Sequence, residues 1–384
     1  MNKIVKGFLA GAMALSLGAC SSSTTSTAAS STGSSEGSET AASIAVAMVT
    51  DYGDITDQSF NQTTYEACKE WASENGVEFN YYKPASDADA DREASIEQAI
   101  EDGYNVIVCP GYAFGAALAE EAPMYEDVMF VGLDVSSGDL PDGFSADNLY
   151  CAVYQEEIAG YFAGYAAVKL GYTKLGFLGG MAVPAVIRYG YGFVQGADAA
   201  AAELGLTDVE IKYTYGNQFF GDADITARMD TWYAAGTEVV FACGGGIYSS
   251  AAEAAAKVEG AKVIGVDVDQ AATIDGTYGE GITVTSAMKG LAATVKSTLN
   301  AIAAGEWSNY GGQISNLGLI SENSEENFVA LPASTQWNET FSEADYEALV
   351  AAVFNGELTI SNDTTVAPAD NATVVTVTDE GNIK

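Results

Sequence analysis

The run Val106-Ile107-Val108-Cys109-Pro110-Gly111, then an alanine-rich stretch, then Phe130-Val131-Gly132-Leu133-Asp134, has a counterpart further along the chain. There Val240-Phe241-Ala242-Cys243-Gly244-Gly245 precedes a second alanine-rich stretch and Val263-Ile264-Gly265-Val266-Asp267. Each copy reads as a strand apolar on both faces, a helix and a second such strand, the pattern of a parallel βαβ unit. A match over roughly thirty residues predicts two similar α/β lobes. Ligands of parallel α/β sheets bind beyond the carboxyl ends of the strands, so two facing lobes make a cleft.

Outward from these strings the alternation continues. Apolar runs of strand length at 44–50, 77–82, 105–109 and 128–133 are separated by amphipathic stretches such as 59–74 and 92–101. The second half repeats it, with strands at 174–179, 209–215, 238–243 and 262–267 and helices at 186–204, 222–235 and 248–257. Residues 282–304 read as a strand followed by a helix, and 313–320 and 327–331 as short extended pieces able to cross back between the lobes. Beyond position 358 the chain is polar and β-branched, without helical period, and reads as an extended tail. The expected division is lobe 1 over 44–152 plus about 285–312, lobe 2 over 153–284 plus about 313–360, and a C-terminal tail over 361–384.

Composition narrows the function. The 384 residues hold 53 acidic and 15 basic side chains and no histidine, a formal charge of −38. Such a surface repels phosphate backbones and makes nucleic acid an improbable partner. Without histidine there is no Ser-His-Asp triad, no Cys-His pair and no histidine-ligated zinc. With 48% apolar residues the chain nevertheless builds a large core. Cys68, Cys109, Cys151 and Cys243 are too irregularly spaced for a disulfide scaffold and read as free core thiols.

The N-terminus carries an address. Lys3 and Lys6 precede an apolar run over 8–17 that is far shorter than a bilayer span, and Leu17-Gly18-Ala19-Cys20 follows. Residues 1–19 read as a signal peptide, and the small residues before Cys20 resemble a bacterial lipobox, in which the cysteine thiol receives diacylglycerol. Residues 20–43 then form a Ser/Thr-rich tether, about 25 Å in reach as a flexible coil. The expected location is the extracytoplasmic face of the cell membrane, held by lipid.

The string Val49-Thr50-Asp51-Tyr52-Gly53-Asp54-Ile55-Thr56-Asp57-Gln58-Ser59-Phe60-Asn61-Gln62 falls where the first strand meets the first helix. It places an acceptor, an aromatic face and amide groups beside the cleft, hardware for a polyol joined to a flat ring. Asp57 and Ser59 read as helix caps, Asp51 and Phe60 as ligand contacts.

This string, with the lipobox, resembles the basic membrane protein family of purine-nucleoside receptors of ABC transporters. Phe220-Gly221-Asp222 (after Phe219), Gly244-Gly245-Gly246, Val263 through Asp267-Val268-Asp269-Gln270, and Thr285-Ser286-Ala287-Met288-Lys289 also match in order. The resemblance implies a type I periplasmic-binding fold, two Rossmann-like lobes around a hinge. It implies a base sandwiched between Phe60 and Phe220, one per lobe, with Phe219 as the alternative by one residue. It further implies ribose held by Asp51, Asp267 and Lys289, a glycine triplet (Gly245 at its centre) that lets the backbone approach the sugar, and Asn61 and Tyr112 at the base edge and pocket wall. The implied partners are a nucleoside, an ABC permease and its ATPase, with the receptor a monomer that needs no cofactor or metal. A sugar ligand, or a sensor that presents its ligand to a membrane receptor, fits the same fold. Asp51, Asp54 and Asp57 also resemble the calcium-binding aspartates of nucleoside hydrolases. That motif ends in two adjacent aspartates, where this chain has Asp57-Gln58, and no histidine is present to protonate a leaving base. An enzyme is therefore not expected.

Overall fold

Nearly every apolar run found in the sequence is a strand in the computed structural model, which describes residues 44–383 apart from position 52. The signal peptide, Cys20 and the tether lie outside the described residues. The first lobe begins with β1 (Ala45–Val49), α1 (Phe60–Asn75), β2 (Glu78–Tyr82), α2 (Asp89–Glu101), β3 (Val106–Pro110), α3 (Gly115–Met124), β4 (Met129–Leu133) and β5 (Leu149–Tyr154). The chain then crosses into α4 (Glu156–Lys169), β6 (Lys174–Gly179), α5 (Pro184–Leu204), β7 (Glu210–Tyr215), α6 (Ala223–Ala234), β8 (Val239–Cys243), α7 (Tyr248–Ala255), β9 (Lys262–Asp267), α8 (Ala271–Tyr278) and β10 (Thr283–Lys289). The remaining elements are α9 (Leu291–Ala303), β11 (Ile314–Leu317), β12 (Val329–Ala330), α10 (Glu343–Phe354) and β13 (Thr376–Asn382).

The sheet orders are β11-β5-β4-β3-β1-β2 and β12-β10-β9-β8-β6-β7-β13. The cores of the two sheets, 2-1-3-4-5 and 7-6-8-9-10, are one doubly wound order used twice, which is the duplication visible in the sequence. All pairs are parallel except β10 with β12. β3 and β8 are buried along their whole length, as strands covered by helices on both faces must be.

The hinge differs from the expected division. β10 hydrogen-bonds to β9, so residues 285–289 belong to the second sheet, and the chain returns to the first lobe only at Gly290, where α9 follows. β11 pairs with β5 and so joins the first sheet, although its residues fall in the range expected for lobe 2. The expected tail is likewise part of the core sheet: β13 pairs in parallel with β7. Short extended segments carry no mark of which sheet edge they will meet, so composition could not place them. The three crossings are tied together, because Gln155 N–H donates to Leu317 carbonyl and Gly290 N–H to Phe328 carbonyl.

Two helices approach unusually closely. Gly160 and Gly164 on α4 face Gly192 and Gly196 on α5, and a Cβ at any of them would collide with backbone of the other helix. Small residues four apart form a flat stripe that lets two backbones meet. The contact sets the start of α4, with Glu156, beside the start of α5, with Arg188. Cys68, Cys109, Cys151 and Cys243 are free and buried, and burial pushes their thiols up from the usual range.

Candidate functional site

Between the carboxyl ends of the two sheets lies a cavity of about 680 Å³. Asp51 follows β1 beside Gly111 after β3, at the point where the first sheet's strand order reverses. Phe219 and Gly244 stand near the corresponding point of the second sheet.

The floor is a charged cluster centred on Lys289, the last residue of β10. Its Nζ lies 2.6 Å from Asp134 Oδ2, 3.6 Å from Glu156 Oε1 and 3.7 Å from Asp267 Oδ1, and its side chain is only 3% exposed. Burial works against that charge, yet Asp134, Asp267 and Glu156 hold the ammonium well above the usual lysine range. Arg188 Nε donates to Glu156 Oε2 at 2.7 Å. Burial pushes Asp267 up, opposed by Lys289 and by the Ser59 hydroxyl, which donates to Asp267 Oδ2 at 2.6 Å. Asp134, just after β4, and Asp267, the last residue of β9, hold corresponding places in the two lobes, and both adopt left-handed backbone, φ 59° and 66°. Aspartate tolerates that region better than most residues, and strain of this kind gathers at functional sites.

Asp51 is half-buried in the cavity wall, and burial raises its carboxyl to about 6 against hydrogen bonds from Gly53 and Asn61. Gly53 N–H donates to its Oδ1 at 2.6 Å. Gly111, at φ 127°, is glycine for two reasons: its backbone is left-handed, and a Cβ would stand 2.9 Å from Asp51 Oδ2.

The cavity wall contains Asp51, Phe60, Asn61, Tyr112, Phe220, Asp267 and Lys289, all named from the sequence. Gly245 is not part of it, although Gly244 and Gly246 are. The triplet accommodates a neighbouring segment: a Cβ on Gly244 would meet the Phe219 ring at 2.9 Å, and one on Gly245 the Phe219 carbonyl at 2.8 Å. Phe220 pairs with Gly246 as a parallel bridge and is 47% exposed, whereas Phe219 is partly buried against the core. Asp57 is a cap, accepting the N–H groups of Ser59, Asn61 and Gln62. Ser59 is not; it reaches across to Asp267.

Sequence reasoning missed Asp134, Glu156, Arg188 and Tyr189. The signal for Asp134 was present, since the internal repeat pairs it with Asp267. For the other three the glycine spacing of α4 and α5 was the only trace. Asp134 Oδ1, Asn61 Oδ1 and Tyr189 OH are buried without a hydrogen-bond partner, and each belongs to a wall residue. A ligand with hydroxyl or N–H groups would satisfy the two acceptors. Six wall aspartates, at 51, 54, 57, 134, 139 and 267, outnumber Lys83, Arg188 and Lys289, which disfavours an anionic ligand.

Two doubly wound lobes that close on one aromatic and polar cavity define a solute-binding protein of the periplasmic-binding type. Residues 44–324 match the family of PnrA-like ABC transporter substrate-binding proteins (Bmp), and the chain belongs to that family. The ABC transporter nucleoside-binding protein BmpA of Lactococcus lactis is 28% identical over 239 residues, 59% of this chain and 64% of that protein. The CD4+ T-cell-stimulating antigen of Listeria monocytogenes is 29% identical over 313 residues, 77% of this chain and 82% of that one. An ABC transporter solute-binding protein from Aeropyrum pernix has the same fold, with a TM-score of 0.64 at 22% identity over 84% of this chain and 88% of its own.

Proposed function

We propose that the protein captures one nucleoside, of purine type, in the interlobe cavity and delivers it to an ABC permease and its ATPase. It works as a monomer, anchored by diacylglycerol on Cys20 at the extracytoplasmic face of the membrane. The observation that carries this reading is that Phe60 from one lobe and Phe220 from the other line the same cavity as the Asp134-Asp267-Lys289 cluster. Two aromatic faces suit a flat base, at roughly 1–3 kcal/mol per face, and tolerate different bases. Buried carboxylate oxygens suit ribose hydroxyls, whose donors would otherwise be desolvated without partners at about 1–3 kcal/mol each. No ionised phosphate is needed, and none is welcome among these aspartates. Closure follows because the favoured contacts come from both lobes. Among the described residues no helix is long and apolar enough to cross a membrane, so the lipid is the proposed anchor.

Calorimetry against adenosine, guanosine, inosine, uridine, glucose and the free bases tests the proposal. One nucleoside per chain is expected, with the base alone bound far more weakly. Asp267→Ala should abolish binding while Asp267→Asn keeps part of it, since an amide oxygen still accepts a hydrogen bond. Binding of glucose alone, or equal affinity for base and nucleoside, overturns it.

A further inference from the structure

Gln270 ends the Val263–Gln270 string and does not touch the cavity. It is 1% exposed, and both ends of its amide are used. Its Oε1 accepts Val266 N–H at 2.9 Å, within the turn that carries Asp267. Its Nε2 donates to the Gln58 carbonyl at 3.0 Å, and Gln58 belongs to the other lobe. A Cβ at Gly265 would stand 2.7 Å from the same Oε1, so that glycine admits the amide. Ser286 Oγ accepts the Gln270 backbone N–H at 3.1 Å and fixes its start. Beside it Thr273 Oγ1 donates to Gln58 Oε1 at 3.2 Å. Gln58 itself is held in left-handed backbone, φ 55°, which turns its carbonyl toward the second lobe. A non-glycine residue adopts that conformation only where surrounding contacts hold it there.

We infer that Gln270 is a positioning residue that couples lobe closure to the orientation of Asp267, with Gln58 as the receiving half of the latch. When the lobes meet, the amide that braces the Asp267 turn gains its interlobe partner. The amide is then held at both ends only in the closed form, and ligand is held longer without any added ligand contact. Opening strips a hydrogen bond from a buried amide, so the latch acts on release more than on capture. The inference rests on solute capture between the lobes, and it holds whichever solute is taken.

The test uses the full chain with Gln270→Met, which keeps length and loses both amide functions, and Thr273→Val, which loses only the rim contact and leaves the turn untouched. Stopped-flow measures association and release of guanosine and adenosine, and small-angle X-ray scattering measures the unliganded chain. Gln270→Met should release nucleoside about tenfold faster with association within about twofold, and should enlarge the unliganded radius of gyration. Thr273→Val should release about two- to threefold faster. Release rates and scattering curves that match wild type in both variants overturn the latch, as does a loss confined to association. If wild type binds no nucleoside, the nucleoside reading falls while the scattering comparison still decides the latch. A melting curve identifies a Gln270→Met chain that fails to fold, and Thr273→Val then decides.

Discussion

Lys289 is surrounded by carboxylates from three parts of the chain, and its replacement gives the plainest prediction at the scale of a residue. Lys289→Met leaves Asp134, Asp267 and Glu156 buried without their shared cation, and removing one partner of such a cluster costs about 3–5 kcal/mol. A lower midpoint in urea and lost nucleoside binding are expected; an unchanged midpoint would show that the cluster is not coupled. Asp51 predicts a pH effect of known sign. Burial raises its folded carboxyl to about 6, above the usual 3.8, so the folded state binds its proton more tightly than the unfolded chain. Its contribution to stability is present below about pH 4 and is lost as the pH rises toward 6. Asp51→Asn should therefore gain on wild type across that window in melting experiments, with no further gain above pH 7. At the aromatic slot, Phe60→Ala and Phe220→Ala should each weaken nucleoside binding by about 1–3 kcal/mol with little effect on fold. Phe219→Ala should instead lower the melting temperature, because its ring fills the space above Gly244.

At the scale of elements, β13 is the part least expected from its composition and most easily removed. Its strand adds to β7, its Glu380 pairs with Arg228 at 2.6 Å, and Asp198 Oδ1 accepts three successive N–H groups at its approach, from Thr373, Val374 and Val375. Deleting residues 361–384 bares the β7 edge, and none of these residues lines the cavity. The expected result is a melting temperature lower by on the order of 5–10 °C with nucleoside affinity within twofold. A chain as stable as the full one would mean that β13 adds nothing to the sheet. The glycine stripes of α4 and α5 matter at this scale too, because that contact delivers Arg188 to Glu156.

For the whole molecule the acidic charge governs which ligands are admitted. With −38 overall and six aspartates in the cavity wall, a phosphate meets repulsion both on approach and in place. Adenosine should bind at least tenfold more tightly than its 5′-monophosphate at low ionic strength. The gap should narrow as salt rises to 0.5 M, where the Debye length falls to about 4 Å. Equal binding of nucleoside and nucleotide would contradict the electrostatic reading of the site.

The two-lobe architecture and the place of the cavity were legible in the sequence for local reasons. Apolar runs of strand length alternating with amphipathic helices specify βαβ units whatever surrounds them, and the Val49–Gln62 string lies at a strand end, where parallel folds place their ligands. Asp51 and Phe60 were read from that position, whereas Asn61, Asp267 and Lys289 were implied by the resemblance to the basic membrane protein family. The hinge crossings, the joining of β11 and β13 to their sheets, and the contact of Ser59 and Gln58 with the other lobe were not legible. Each depends on which edge or surface a short segment meets after the chain has folded, and a few extended polar residues have the same local energy against several partners. The ring of acids around Lys289 is the sharpest case. Asp134, Glu156 and Asp267 lie far apart in sequence and become one electrostatic unit only when close α4–α5 packing and the pairing of β10 with β9 bring them within 4 Å of one ammonium.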